Sequence, residues 1–173
     1  MRMGRWRVAL LLGILAGPLV LLATHGARVL ERVSVATDGT QGDDDSFHPS
    51  LSADGRFVAF DSKAENLGSL PKSTKRDVFL RDTCIGAPAG CTPSTILISQ
   101  CNGQALQFGS DSPSVSADGR FVAFDSDCSD LHPRDFFVNS VYLFDTCIGA
   151  PAGCTPSTIF VSEAAPFGFT DSG

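Results

Sequence analysis

The residues best suited to chemistry in this chain are its six cysteines, and their spacing points to cross-links rather than catalysis. Cys84 and Cys91 enclose Ile-Gly-Ala-Pro-Ala-Gly, and Cys147 and Cys154 enclose the same six residues again. Gly86, Pro88 and Gly90 let such a loop turn sharply. In an oxidising compartment each pair closes into a stapled hairpin, with a loop-entropy stabilisation of about 2–3 kcal/mol. The alternative is four thiolates on one zinc ion, but the close C-x2-4-C spacing of a zinc knuckle is missing. Cys101 and Cys128 stand where the other repeat has Thr37 and Ala64. A third bond between them is expected, with free or intermolecular thiols as the alternatives.

Other candidate chemistry is thinner. Asp43, Asp44 and Asp45 follow Gly42, and three adjacent carboxylates could hold Ca²⁺, a hard cation that needs several oxygen ligands. They lack the D-x-D-x-D-G spacing and a distal bidentate Glu, so a solvated acidic loop is the better reading, and no metal or cofactor is assigned. The histidines are His25, His48 and His132, with no G-x-S-x-G elbow and no Cys-His grouping beside them. No phosphate loop or dinucleotide fingerprint is present. Asp61 and Asp125 recur at one position of a repeat, where they could bond backbone amides or face a ligand. The loop 63–76 is basic, with Lys63, Lys72, Lys75 and Arg76, whereas its counterpart 127–139 is acidic and aromatic. Loops that vary on a repeated scaffold are where binding specificity resides, although a tolerant surface loop has the same look.

The elements that must position these residues follow from self-similarity. SADGRFVAFDS occupies 52–62 and again 116–126, and DTCIGAPAGCTPSTI occupies 82–96 and again 145–159. Such repeats imply stacked supersecondary units. Each unit reads as four strands. A short strand at 49–52 or 113–116 leads into a tight hairpin turn at Asp54-Gly55 or Asp118-Gly119. A second strand follows at 56–61 or 120–125. Its Phe-Val-Ala-Phe core is apolar at consecutive positions, so both faces should be buried. The third strand is expected at 77–82 or 140–145, and the fourth at 95–99 or 158–162. Arg32-Val33-Ser34-Val35 has the look of an outer, fourth-type strand standing ahead of the first unit.

Composition agrees. Thirteen Phe, seventeen Gly and ten Pro describe strands joined by tight turns. A net charge of −6 with no basic stripe argues against nucleic acid as a partner. The first 27 residues differ: Arg2, Arg5 and Arg7 precede an uncharged apolar run at 8–23, and Thr24-His25-Gly26-Ala27 supplies a small-residue exit. This is the layout of a secretory signal peptide. The alternative is a retained N-terminal anchor, which would be the only membrane contact. The apolar run is shorter than the roughly 20 residues a bilayer needs, and Gly17-Pro18 interrupts it. Both readings export the rest of the chain to the periplasm, the cell surface or the medium.

Pro-x-x-Ser-Ala-Asp-Gly-Arg-Phe-Val-Ala-Phe, at 49–60 and 113–124, resembles the repeat of TolB-like, WD40-like (PD40) β-propellers. The 77–82 strand and Ile98-Ser99 fit the same blades. The resemblance covers roughly residues 30–173 and implies an all-β fold: a β-propeller of four-stranded antiparallel blades, about two of them present. The implied organisation is a signal or anchor at 1–27, an outer strand and acidic linker at 28–46, blades at 47–100 and 101–163, and the start of a third at 164–173. Propellers typically close with 4–8 blades, so the expectation is a piece of a longer propeller or a protomer that closes by oligomerising. The resemblance says little about activity, because a propeller is a scaffold; with no catalytic grouping in the sequence, a non-catalytic binding or scaffold role is expected, with a protein or small ligand at the loops or channel. The alternative is the non-catalytic portion of a larger propeller-containing hydrolase. The α/β domain that precedes the propeller of TolB itself has no counterpart here, so that protein's envelope role is not carried over.

Overall fold

The computed structural model describes residues 30–68, 75–100, 109–128 and 140–162, and every element below lies in the unit Glu31–Gly173. The doubled sequence gives two sheets of one pattern. Strands β1 (Ser46–Leu51), β2 (Phe57–Ser62), β3 (Asp77–Asp82) and β4 (Ser94–Leu97) form the first sheet. Strands β5 (Ser110–Val115), β6 (Phe121–Ser126), β7 (Ser140–Asp145) and β8 (Ser157–Phe160) form the second. Each sheet is an antiparallel meander in chain order. The chain is all-β, with no helix among the described residues. These residues make two open sheets and show no closed ring.

The β1–β2 turn shows what SADGRF does in each copy. Ser52 Oγ donates to Asp54 Oδ1 at 2.6 Å and accepts the Phe57 N–H at 2.9 Å. Asp54 Oδ1 also accepts the Arg56 N–H at 3.0 Å. Gly55 takes φ +75°, a left-handed conformation that favours glycine. Ser116, Asp118, Gly119, Arg120 and Phe121 repeat every one of these features. The serine hydroxyl bond, followed by the backbone N–H, holds the Asp54 and Asp118 carboxyls below the usual range.

The core lies between the sheets. One face of the first sheet presents Phe57, Ala59, Val78 and Leu80, joined by Ile98. It packs on Val122, Phe124 and Tyr142 of the second sheet, with Val115, Phe144, Ile148 and Phe160 at the margin. The other face of the first sheet carries Phe60 and Phe79, which pack with Ala64, Leu67 and Leu97. Residues 34–42 lie on this side too. Thr95 Oγ1 donates to Val35 O at 2.6 Å, Arg81 donates to Ala36 O at 3.4 Å, and Gly42 sits against Ala64 and Leu67.

Two expectations are modified here. FVAFDS is buried at all six positions in β2, but only at alternate positions in β6. The outward face of β6 has no comparable cover among the described residues, so burial on both faces holds for one copy of the sequence and not the other. The stretch 32–35 forms no strand. It supplies one isolated bridge, Val35 to Gln41, around a turn in which Gly39 takes φ +86°. Thr37 Oγ1 fastens this turn by accepting the Thr95 N–H at 3.0 Å and donating to Thr95 O at 3.1 Å.

Asp77 opens β3 where the second sheet has Ser140. Its carboxyl is raised from 3.8 to about 7 by burial, partly offset by the hydroxyl bond from Ser99 at 3.3 Å. The folded state therefore holds this proton more tightly than the unfolded chain does. The contribution of Asp77 to stability therefore falls as pH rises from about 3.8 to about 7 and is flat above that window. Asp77→Asn removes the ionisation, so the variant should gain about 2–3 kcal/mol on the wild type between about pH 5 and pH 8. Urea unfolding at the two pH values measures this, and an equal difference at both would contradict it.

Candidate functional site

At the end of the sheets where β2 runs into β3, a bulge in β1 re-aims one side chain. The β1–β2 register shifts between Phe47 and Ser50, and His48, just before Pro49, takes φ +46°. Bulges commonly turn a side chain toward a site in this way. His48 Nδ1 reaches Asp61 Oδ1 at 2.7 Å, and Arg76 donates to the other oxygen of the same carboxylate at 3.3 Å. The Asp61 side chain is 0% exposed, so both of its oxygens are satisfied by partners rather than by water. Arg76 also lies over the Phe47 ring, 4.9 Å from its centroid, and stands 4.0 Å from Asp111 of the second sheet.

Next to this network is a cleft of about 330 Å³ lined by Lys63, Lys75, Arg76, Gly109, Asp111 and Asp127. Lys75 pairs with Asp127 Oδ2 at 3.2 Å, and the other Asp127 oxygen accepts the Gly109 N–H at 2.5 Å. The lining carries Lys63, Lys75 and Arg76 with Asp111 and Asp127, and the buried Asp61 behind Arg76 balances the third cation. What distinguishes the cleft is that the Lys63 ammonium has no ion-pair partner among the described residues. It lies between the sheets, where the Arg76 carbonyl accepts the Ser110 N–H at 2.8 Å.

The bonding of His48 is that of a base held by an orienting carboxylate, which leaves Nε2 directed away from Asp61. Nucleophilic catalysis would also need a hydroxyl or thiol on that nitrogen, and among the described residues none bonds to it. What the arrangement can do is present fixed charge and hydrogen-bonding groups to a polar ligand. Of the two roles open to Asp61 in the sequence, a bond to backbone amides or a place facing a ligand, the structure shows neither directly: its carboxylate bonds the His48 and Arg76 side chains. In the second sheet Ser112 fills the place of His48, also at positive φ, and its hydroxyl turns to Asp111 at 2.9 Å.

Cys84–Cys91 and Cys147–Cys154 are disulfides, with Cα atoms 5.8 and 5.7 Å apart. Cys128 is also disulfide-bonded, and Cys101 lies outside the described residues. Each described staple is anchored by a carboxylate. Arg56 grips Asp82 through two bonds of 2.9 and 2.7 Å, and Asp82 caps the Cys84 N–H at 2.8 Å. Arg120, Asp145 and Cys147 repeat this. The arginine bond is the main reason both carboxyls stay below the usual range. The only groups of metal-ligand type that converge among the described residues are Asp82 with Cys84 and Cys91, and Asp145 with Cys147 and Cys154. Their sulfurs are bonded to each other, so they are not thiolates free to bind zinc. Two such bonds fit an oxidising environment.

Asp43, Asp44 and Asp45 do not converge on a common point. Asp43 accepts the Glu65 N–H at 2.8 Å, and Asp44 accepts the Asp45 N–H at 2.7 Å. His25, Lys72 and His132 lie outside the described residues, as do segments 1–27 and 164–173.

No family model, curated protein or solved structure matches this chain.

Sequence reasoning missed two groupings, the Arg56–Asp82 clasp and the His48–Asp61–Arg76 cluster. The first left a usable signal, because Arg56 and Asp82 recur together as Arg120 and Asp145. The second left none, because neither His48 nor Arg76 is kept in the second repeat.

Proposed function

We propose that the two sheets are consecutive blades of a TolB-like β-propeller, and that this chain is an exported, non-catalytic binding protein. Its ligand meets the cleft between the blades and carries a carboxylate or a similar anionic group. The observation that carries this reading is the cleft itself. Lys63 is uncommitted in it, while Lys75 and Arg76 are held in place by Asp127 and Asp61. Pre-positioned cations lose little freedom on binding and recognise anions through charge-assisted bonds. The loops that build the cleft are the part of the repeat that differs between its two copies, as expected where a scaffold is adapted to a ligand. Export accords with the disulfides and with the layout of residues 1–27.

The test uses a short oligoglutamate peptide as the probe, titrated by calorimetry. Binding that weakens with added salt and drops several-fold in Lys63→Ala supports an anion-binding cleft. Binding that is absent, or unchanged in that variant, removes the assignment.

A further inference from the structure

Arg76 enters the cleft from a carboxylate that it shares. Its guanidinium donates to Asp61 Oδ2 at 3.3 Å, and the other oxygen of Asp61 meets His48 Nδ1 at 2.7 Å. Asp61 is 0% exposed, so these two side chains rather than bulk water balance its charge. A carboxylate only accepts, so Nδ1 is the nitrogen that carries the proton in the neutral imidazole. The lone pair is then on Nε2. The His48 side chain is half exposed, and among the described residues nothing bonds to Nε2, so a second proton reaches it without rearrangement.

That proton changes the charge beside the cleft. With a neutral imidazole, Asp61 and Arg76 cancel. With an imidazolium, the trio carries one net positive charge, and Asp61 is divided between two full cations. The strand pairing does not require this arrangement. Strands β5 and β6 repeat the same register shift, with Ser112 and Asn139 at the places of His48 and Arg76.

We propose that His48 is a positioning residue for Arg76, and that its protonation tightens anion binding in the cleft; the inference rests on the anion-binding reading of that cleft. The surrounding charges fix the sign. Asp61 faces His48 from β2, and Arg76 faces the same carboxylate from the residue before β3. Asp111 of β5 stands 4.0 Å from Arg76, where it competes with a ligand, and it pairs in register with Asp125 of β6. Asp43, Asp44 and Asp45 precede His48 on its own side of the chain, and Lys63 adds its ammonium to the cleft. Histidine ordinarily gains charge as pH falls from about 8 to about 5. No neighbour gains negative charge over that range, so anion affinity rises as pH falls. Asp77, the residue after Arg76, loses charge in the same range, because burial raises its carboxyl to about 7. It acts in the same direction and has to be separated from His48.

The test is calorimetric titration of the full chain with the oligoglutamate peptide at steps from about pH 8 to about pH 5.5. The wild type is expected to bind about three- to ten-fold more tightly at the acid end. His48→Asn separates titration from structure. The Asn amide can still donate to Asp61, asparagine tolerates the left-handed φ of +46° at this position, and no titratable group remains there. This variant is expected to lose the rise, whereas Asp77→Asn is expected to keep it. Titration of the peptide itself is common to all three proteins and cancels between them. Linkage supplies a second reading that needs no variant: if the proton favours the ligand, the ligand favours the proton. Saturating peptide should therefore move the midpoint of the His48 imidazole titration, followed by NMR, to higher pH. A rise that survives in His48→Asn, a wild type whose binding ignores pH, or an unmoved imidazole midpoint overturns the proposal and leaves anion binding standing. Binding that is absent at every pH removes the cleft assignment, and this inference with it.

Discussion

Phe57→Ala is expected to destabilise the fold by about 3–5 kcal/mol, and Phe121→Ala, the same change in the same local sequence, by less than about 2 kcal/mol. Phe57 is 3% exposed in the core between the sheets, whereas Phe121 stands partly exposed on the outward face of the second sheet. Truncating a buried aromatic ring loses its transfer free energy and leaves a cavity with packed walls. Truncating a partly exposed one loses a fraction of that and leaves no closed void. Both rings carry a neighbouring guanidinium, Arg56 at 4.7 Å and Arg120 at 4.8 Å from the centroid, so the cation–π contribution cancels in the comparison. Denaturant midpoints for the two variants at one pH measure the gap. Equal losses would mean that the outward face of β6 is covered in solution.

The second large effect concerns glycine. Gly119→Ala is expected to cost about 2–5 kcal/mol, and Gly55→Ala about 1–2 kcal/mol. Both glycines take a left-handed φ, +77° and +75°, so both substitutions carry the same backbone strain. Only Gly119 has the Phe57 ring against it, where an added Cβ would overlap Cγ, Cδ2 and Cε2. That ring is locked in the core and cannot swing away, so the turn or the sheet contact must shift. The double variant Phe57→Ala with Gly119→Ala separates the two contributions. With the ring gone the methyl has room, so the loss should fall well short of the sum of the single losses. Additive losses would mean that the ring does not press on the turn.

These pairs show what kind of information a repeat carries. The strands, the Asp-Gly turns and the two short disulfides were legible because each is decided within about ten residues. Alternation, a left-handed glycine and a Cys-x6-Cys loop act through near neighbours, so identical segments give identical local structure. The strand bounds at 77–82 and 140–145 match the expectation. The β4 and β8 strands end earlier, at Leu97 and Phe160, because Ile98 and Val161 make single bonds back to Val78 and Val141 rather than continuing the ladder.

The candidate site was legible only in part. The basic loop was singled out, with Lys63, Lys75 and Arg76 in it, and so was Asp61. Their meeting with His48 was not, because it depends on a bulge that turns His48 out of the regular alternation by which strand side chains are assigned to faces. Position 48 lies 13 residues from Asp61, and Arg76 lies 15 residues from it, across two different strand connections.

By itself the sequence determined the all-β class, two copies of a four-stranded unit and the covalent staples, since these are short-range properties of the chain. Only the tertiary structure decided which copy of FVAFDS is buried on both faces, because two identical strings cannot encode different neighbours. The first sheet is covered on one side by the second sheet and on the other by residues 34–42. Among the described residues, the second sheet has a matching sheet on one side only, and FVAFDS is buried there at alternate positions.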